Sequence, residues 1–157
     1  MAGCGGDDNS GTAATEASQA NSQSPPQLTK AELIDHADEI CDESWEEMLD
    51  DYSAYRSGWV ATGTSEKRMF SRAVGDVFLP SILFWYDHIN FLGPPKEAAG
   101  QTRRMLHTLE QTAVRGLDRP YSFDSPAELA ALYRRSNRMM RQYGIKRCVV
   151  TSGSFPS

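Results

Sequence analysis

Residues 28–55, LTKAELIDHADEICDESWEEMLDDYSAY, decide the fold that this sequence predicts. Thr29 and Glu32 form the T-x-x-E pattern of a helix capping box, which satisfies backbone N–H groups of a first helical turn. Apolar or small residues then recur every three or four positions, as on one face of an α-helix, while acids occupy the other face. The stretch therefore predicts one long amphipathic helix, with Cys41 on its apolar face.

Three more helices follow in the pattern of apolar residues. Helix 2 is predicted over 64–92, with an interruption at Pro80 because proline lacks an N–H group and clashes with the preceding turn. Helix 3 is predicted over 96–115 and ends at Gly116, and helix 4 begins at the S-x-x-E cap of 125–128 and ends at Gly144. We therefore expect an all-α domain over 28–150, an antiparallel four-helix bundle with helix 2 kinked or broken at Pro80, followed by a disordered tail over 151–157.

Residues 1–27 have a different composition, dominated by Gly, Ser, Asn, Asp, Gln and Ala, with no apolar periodicity. Such a segment buries too little surface to offset its ordering entropy, so it predicts a disordered tether. Its start, Ala2-Gly3-Cys4, is similar to a bacterial lipobox, in which the cysteine becomes the lipidated N-terminus. The charged and apolar regions of a signal peptide are not in the sequence, so we expect the true start to lie upstream. The alternative is a cysteine in a disordered cytosolic tail.

The cysteine count agrees with export. Of three cysteines, acylation of Cys4 leaves one pair, Cys41 and Cys148, which an oxidising compartment would join. In an antiparallel bundle the end of helix 4 lies near the start of helix 1, and Cys148 follows that end by a few residues. The alternative is two buried free thiols in a cytosolic protein.

Several motifs together resemble one family. They are AGC at 2–4, LTKAELIDHADEIC at 28–41, LGPP at 92–95 and YGIKRC at 143–148. The chain resembles a group of small actinobacterial lipoproteins of uncharacterised activity, and the resemblance covers about residues 28–148. It implies an extracytoplasmic helical domain with a disulfide, and it implies no catalytic residue.

Charge is distributed unevenly along the chain. Residues 28–60 contain ten acids and two bases, whereas residues 95–150 contain eleven bases and five acids. The favoured interpretation is that the acidic helix 1 and the arginine-rich helix 4 complement each other within the fold. The alternative is a basic face for an anionic polymer. The net charge of -5 and the lack of a mixed aromatic and basic motif argue against nucleic acid as the partner.

No catalytic residue, metal site or cofactor is predicted. The histidines at 36, 88 and 107 lack the E-x-x-H spacing of metal ligands in helical bundles. The candidate ligand or partner surface consists of aromatic residues and helix 4 arginines: Trp45, Tyr52, Trp85, Tyr86, Arg134, Arg135 and Arg138. We expect a module lipid-anchored through Cys4 on the extracytoplasmic face of the cell membrane, which binds an envelope protein or a small ligand. The alternative is a small cell-envelope enzyme with a cleft between helices.

Overall fold

The computed structural model describes residues 27–155, and these residues form helices without any β-strand. The helices in chain order are α1 (Lys30–Val60), α2 (Glu66–Ala73), α3 (Leu79–Phe91), α4 (Ala99–Leu117), α5 (Pro126–Leu132) and α6 (Arg134–Tyr143). A π-helical segment, Val74–Phe78, joins α2 to α3, and 3-10 turns lie at Lys96–Ala98, Pro120–Ser122 and Ser152–Ser154. The predicted all-α class is confirmed.

Helix α1 begins where the capping box predicts. The Thr29 hydroxyl accepts from the Glu32 backbone N–H at 3.3 Å, and the Glu32 carboxylate accepts from the Thr29 N–H at 2.7 Å. The carboxylate of Glu97, in the turn before α4, accepts from the Lys30 N–H at 2.7 Å. At 31 residues the helix is about 46 Å long, so it runs the length of the domain.

The interruption predicted at Pro80 takes the form of the π-helical segment, and the backbone is not broken there. Phe78 and Leu79 keep right-handed helical angles, and the Leu79 N–H donates to the Val74 carbonyl, five residues back. The Ser81 hydroxyl donates to the Val77 carbonyl at 2.9 Å. A wider turn relieves the clash of the proline ring with the preceding turn, so the helix continues through it.

Helix 4 of the prediction is divided into α5 and α6. Its Ser125 cap is present, since the Ser125 hydroxyl accepts from the Glu128 N–H at 3.4 Å. Tyr133, with ψ of 2°, leaves the helical region and separates the two helices. The helix ends at Gly144 as predicted: Gly144 has a φ of 120°, and the Ile145 N–H donates to the Met140 carbonyl at 3.0 Å, which forms a Schellman motif.

Gly116 does not end α4 as predicted, because the helix continues to Leu117. A Cβ atom at Gly116 would lie 2.6 Å from Cδ2 of Leu79. The glycine therefore allows α4 to approach α3 closely, and its function is in packing.

Packing proceeds from one helix to the next in a single core. Helix α1 packs on α3, α3 on α4, and α4 on α6. The buried apolar residues form one cluster with members from every helix. The antiparallel arrangement of four helices stays a prediction.

The prediction of a disordered tail is wrong for residues 151–155. The ring of Phe155 is buried, with its centroid 4.7 Å from that of Phe78 and 5.7 Å from that of Phe70. The Thr151 N–H donates to the Ser154 hydroxyl at 3.0 Å, which closes the turn before Phe155. The burial of Phe155 in the core holds residues 151–155 in place, and the composition of the segment did not indicate this order.

Residues 1–26 and 156–157 lie outside the described residues, and so does the predicted lipobox with Cys4. Gln27, the last residue of the predicted tether, is described, and its side-chain amide donates to the Pro94 carbonyl at 2.6 Å. Within residues 27–155, no helix combines the length and the apolar character needed to cross a membrane.

Candidate functional site

The predicted disulfide between Cys41 and Cys148 is confirmed. It joins the middle of α1 to the segment after α6, with the two Cα atoms 5.1 Å apart and both side chains fully buried. Nearby, the Lys30 ammonium lies 4.7 Å from the centre of the Tyr143 ring, so the end of α6 lies beside the start of α1.

Acids of α1 hold the segment that carries Cys148. One Asp38 oxygen accepts from the backbone N–H groups of Lys146 and Arg147, each at 2.8 Å. The Arg147 side chain forms an ion pair with Asp42 at 3.3 Å, and its carbonyl accepts from the Trp45 indole N–H at 3.1 Å. These contacts position the segment for the disulfide.

The expected charge complement between α1 and helix 4 is wrong for the helix 4 arginines. Helix α6 packs on α4, and among the described residues no ion pair or hydrogen bond involves the side chains of Arg134, Arg135, Arg138 or Arg141. All four are exposed. The acids of α1 act instead on the segment around Arg147, so the arginines of α6 are left for other partners.

Three of these arginines line one open groove of about 580 Å³ between α6 and the C-terminal segment. Arg134, Arg138 and Arg141 follow each other at four and three residues, which places them on one face of the helix. We call this the arginine groove, and its lining residues are Ala130, Arg134, Asn137, Arg138, Arg141, Gln142, Val150, Thr151 and Ser152. Arg135 points elsewhere and lines a separate hollow with His107 and Arg115.

The far wall of the arginine groove is held in place by Asn137. Its side-chain amide donates to the Val150 carbonyl at 2.6 Å, and its oxygen accepts from the Val150 N–H at 3.0 Å. Asn137 is buried, and Phe155 fixes the segment beyond Ser154 in the core. The groove is therefore built from a helix and a fixed extended segment. The sequence analysis missed this wall, although the T-x-x-S pattern at 151–154 and the aromatic residue after it were signals for an ordered turn.

The aromatic part of the predicted surface lies mostly in the core. Tyr52 and Trp85 are buried, so their assignment to a partner surface is wrong. Trp45 is half-buried, with its ring centroid 5.1 Å from that of Trp85, and Tyr86 is half-buried as well. Burial raises the pKa of Tyr86 above its ordinary value. Tyr52 and Trp85 lie in the interior because their positions fall on the core-facing stripes of α1 and α3.

A second polar cluster surrounds Asp76 in the π-helical segment, and the sequence analysis did not find it. The Tyr55 and Tyr121 hydroxyls donate to the two Asp76 oxygens at 2.8 and 3.0 Å. Burial and then the bond to Asp76 raise the pKa of Tyr55 to about 12. The Arg72 guanidinium lies 5.0 Å from the centre of the Tyr121 ring and 5.9 Å from that of Trp59. These mutual contacts join α1, the π-helical segment and the loop after α4.

Among residues 27–155, the ion pairs of histidines with carboxylates each join two residues of a single helix. His36 lies 3.7 Å from Glu39 on α1, and His107 lies 3.4 Å from Glu110 on α4. In the part of the chain that the structure describes, no three His, Cys, Asp or Glu side chains converge to hold a metal ion. Among the candidate sites described above, the arginine groove is therefore the best supported.

No protein-family model, curated protein or solved structure shows a significant match to this chain. The resemblance to actinobacterial lipoproteins stays a prediction.

Proposed function

We propose that this protein is an extracytoplasmic binding module, tethered to the cell membrane through Cys4, that binds an anionic ligand or partner in the arginine groove. One observation carries the proposal: Arg134, Arg138 and Arg141 share a groove with a fixed wall and have no acidic partner among residues 27–155.

The chemistry of the groove favours phosphate or carboxylate groups. A guanidinium group stays charged at all physiological pH values and offers a planar set of donors that matches these groups in pairs. Each exposed arginine contributes little alone, but three on one helix face act together on a ligand with several negative groups. Because the groove is open to solvent, we expect binding to weaken with added salt.

The tether and the disulfide support the location. A polar segment after Cys4 would separate a domain from a bilayer, and a buried disulfide is typical of proteins outside the cytoplasm. Two or more acyl chains on Cys4 would make the anchoring stable. We also propose that α1, α2 with α3, α4, and α5 with α6 are the four rods of an antiparallel bundle, supported by the sequential packing of these helices. The enzyme alternative has less support, because the histidine and carboxylate pairs found among the described residues each join two residues of a single helix.

The groove is tested with short-chain polyphosphate and inorganic phosphate as probes, by calorimetry at low and physiological salt. We expect Arg138→Gln to weaken polyphosphate binding by about threefold to tenfold, as the loss of one exposed charged contact predicts. Arg103→Gln is the matched control, since Arg103 is exposed on α4, away from the groove, and the charge change is the same. Equal weakening by both variants, or no binding of polyphosphate by the unmodified protein, would overturn the groove assignment.

The anchor has a separate test. Mass spectrometry of the N-terminal peptide, from the native protein in its own cells, should find acyl chains on Cys4 in the membrane fraction. A free Cys4 thiol in protein recovered from the cytosol would contradict the anchor and leave the groove assignment intact.

A further inference from the structure

The end of α3 presents an apolar surface to solvent. Phe91 is 91% exposed, the highest value among the large apolar residues that the structure describes, and Phe84 is 43% exposed. The two lie seven residues apart, on one side of the helix, with the His88 ring stacked on Phe84 at a centroid distance of 3.6 Å. We call Phe84, His88 and Phe91 the Phe91 patch. A phenylalanine this exposed at a helix end adds little to the core, so the Phe91 patch is available for a contact outside the domain.

The Phe91 patch lies at the end of the domain where residues 1–26 join it. Gln27 donates to the carbonyl of Pro94, three residues beyond Phe91, and the Lys30 N–H donates to Glu97. The start of α1 is thereby fixed beside the turn after α3. Val60, at the other end of α1, is about 46 Å away along the helix axis. The point at which residues 1–26 join the domain is therefore nearer to the Phe91 patch than to Val60.

We propose that the Phe91 patch is a lipid-contact surface that rests the domain on the bilayer holding its own anchor. This inference depends on the membrane-tether part of the proposed function. Phe91 enters the boundary between headgroups and acyl chains, the depth at which the apolar faces of interfacial helices lie. The domain then has one preferred orientation on the membrane, with α1 directed away from the bilayer.

Two other occupants fit the observations less well. Residues 1–26 contain Met1 as their one large apolar residue, so they cannot cover a phenylalanine patch. A second copy would need about 1,200–2,000 Å² of total buried surface for a stable dimer, far more than one exposed ring and one partly exposed ring supply. A bilayer needs no such area, because the tether holds the domain at a high effective concentration beside it. Burial of one phenylalanine in the bilayer shifts the equilibrium between the undocked and the docked domain by about tenfold to about a hundredfold.

The experiment uses the full chain with Cys4 coupled to a maleimide lipid in phosphatidylcholine nanodiscs. Cys4 is the one cysteine outside the disulfide, so coupling is specific and does not require natural lipidation. A nitroxide-labelled lipid then broadens the NMR signals of residues close to the bilayer. We expect the broadening to be greatest over residues 84–95, to persist at high salt, and to be mostly lost in Phe91→Ser. Val60→Ser is the matched control, because Val60 is also an exposed apolar residue, at 63%, and lies at the far end of α1.

Each outcome decides the inference. Broadening over residues 84–95 that Phe91→Ser removes and Val60→Ser leaves unchanged supports it. Broadening that is absent, uniform, or centred on the arginine groove overturns it, as does broadening that depends on protein concentration, which would indicate a second copy. Because the lipid is coupled chemically, a negative result in this experiment tests the lipid contact of the Phe91 patch. It is independent of whether acyl chains are found on Cys4 in the native protein. Phe91→Ser should keep the melting temperature of the unmodified protein because the side chain is exposed.

Discussion

Removal of the Cys41–Cys148 disulfide should lower the stability of this domain by about as much as the truncation of a large buried side chain. The bond closes a loop of 107 residues between two fully buried positions. It restricts the unfolded chain, while the folded segment around Cys148 has its own contacts with Asp38 and Asp42. We therefore expect variants without the bond to fold to the same structure with reduced stability.

The size of the effect follows from loop-closure entropy. For a loop of 107 residues the chain-entropy relation gives about 16 cal/mol/K, or about 4.8 kcal/mol at 25 °C. A domain of roughly 130 residues has an unfolding entropy near 0.27 kcal/mol/K at its melting temperature. The ratio of the two predicts a decrease in melting temperature of about 18 °C.

The assay compares Cys41→Ala, Cys148→Ala and the double variant by urea and thermal unfolding, all in a Cys4→Ser background that prevents new disulfides. Each single variant already breaks the bond, so each should lose nearly the full amount, and the double variant should lose little more. The slope of unfolding free energy against urea should rise, because the unfolded chain without the bond exposes more surface. Additive losses in the double variant, or a loss under about 1 kcal/mol, would refute the entropic argument.

Three further outcomes test the packing and the polar clusters. Gly116→Ala should destabilise the domain by about 1 kcal/mol, because overpacking against α3 costs more than the gain in helix propensity. Gly100→Ala, on the same helix, should stabilise the domain by about 0.5–1 kcal/mol. Stabilisation by both variants would contradict the close approach of α4 to α3. Phe155→Ala should lower the free energy of unfolding, measured in urea, by about 3 kcal/mol, and Phe91→Ala should lower it by less than about 0.5 kcal/mol. Equal effects would show that the C-terminal segment adds nothing to the core. Folding raises the pKa of Tyr55 from 10.0 to about 12, so the contribution of its protonated hydroxyl to stability is present below pH 10 and is lost as the pH rises toward 12. Tyr55→Phe should therefore reduce the fall in unfolding free energy between pH 10 and pH 12. An unchanged fall would contradict the hydrogen bond from Tyr55 to a carboxylate.

Much of the helical structure could be predicted because its signals are local. The capping box at Thr29, the cap at Ser125 and the left-handed Gly144 each depend on a few neighbouring residues and backbone geometry. Gly116 was misassigned because a glycine near a helix end can serve as a cap or allow close packing. Only the position of Leu79, on another helix, decides between the two. The break at Tyr133 has no local signal of its own.

The candidate site was harder to predict because its parts lie on different elements. The arginines of α6 were visible in the sequence, but their freedom from the acids of α1 depends on α6 packing against α4. The groove also needs the wall at Val150, which two hydrogen bonds from Asn137 hold in place. The aromatic residues were assigned wrongly because the sequence does not distinguish an aromatic side chain in a core, such as Trp85, from one in a ligand cleft.

The contacts of Phe155 and Cys148 also determine when the domain can finish folding during synthesis. Phe155 packs on Phe70 and Phe78, and Cys148 bonds to Cys41 in the middle of α1. The native core therefore lacks these contacts until residue 155 has left the ribosome, and earlier nascent chains keep more apolar surface exposed. Nascent chains that lack these contacts therefore remain open to chaperones until the contacts form.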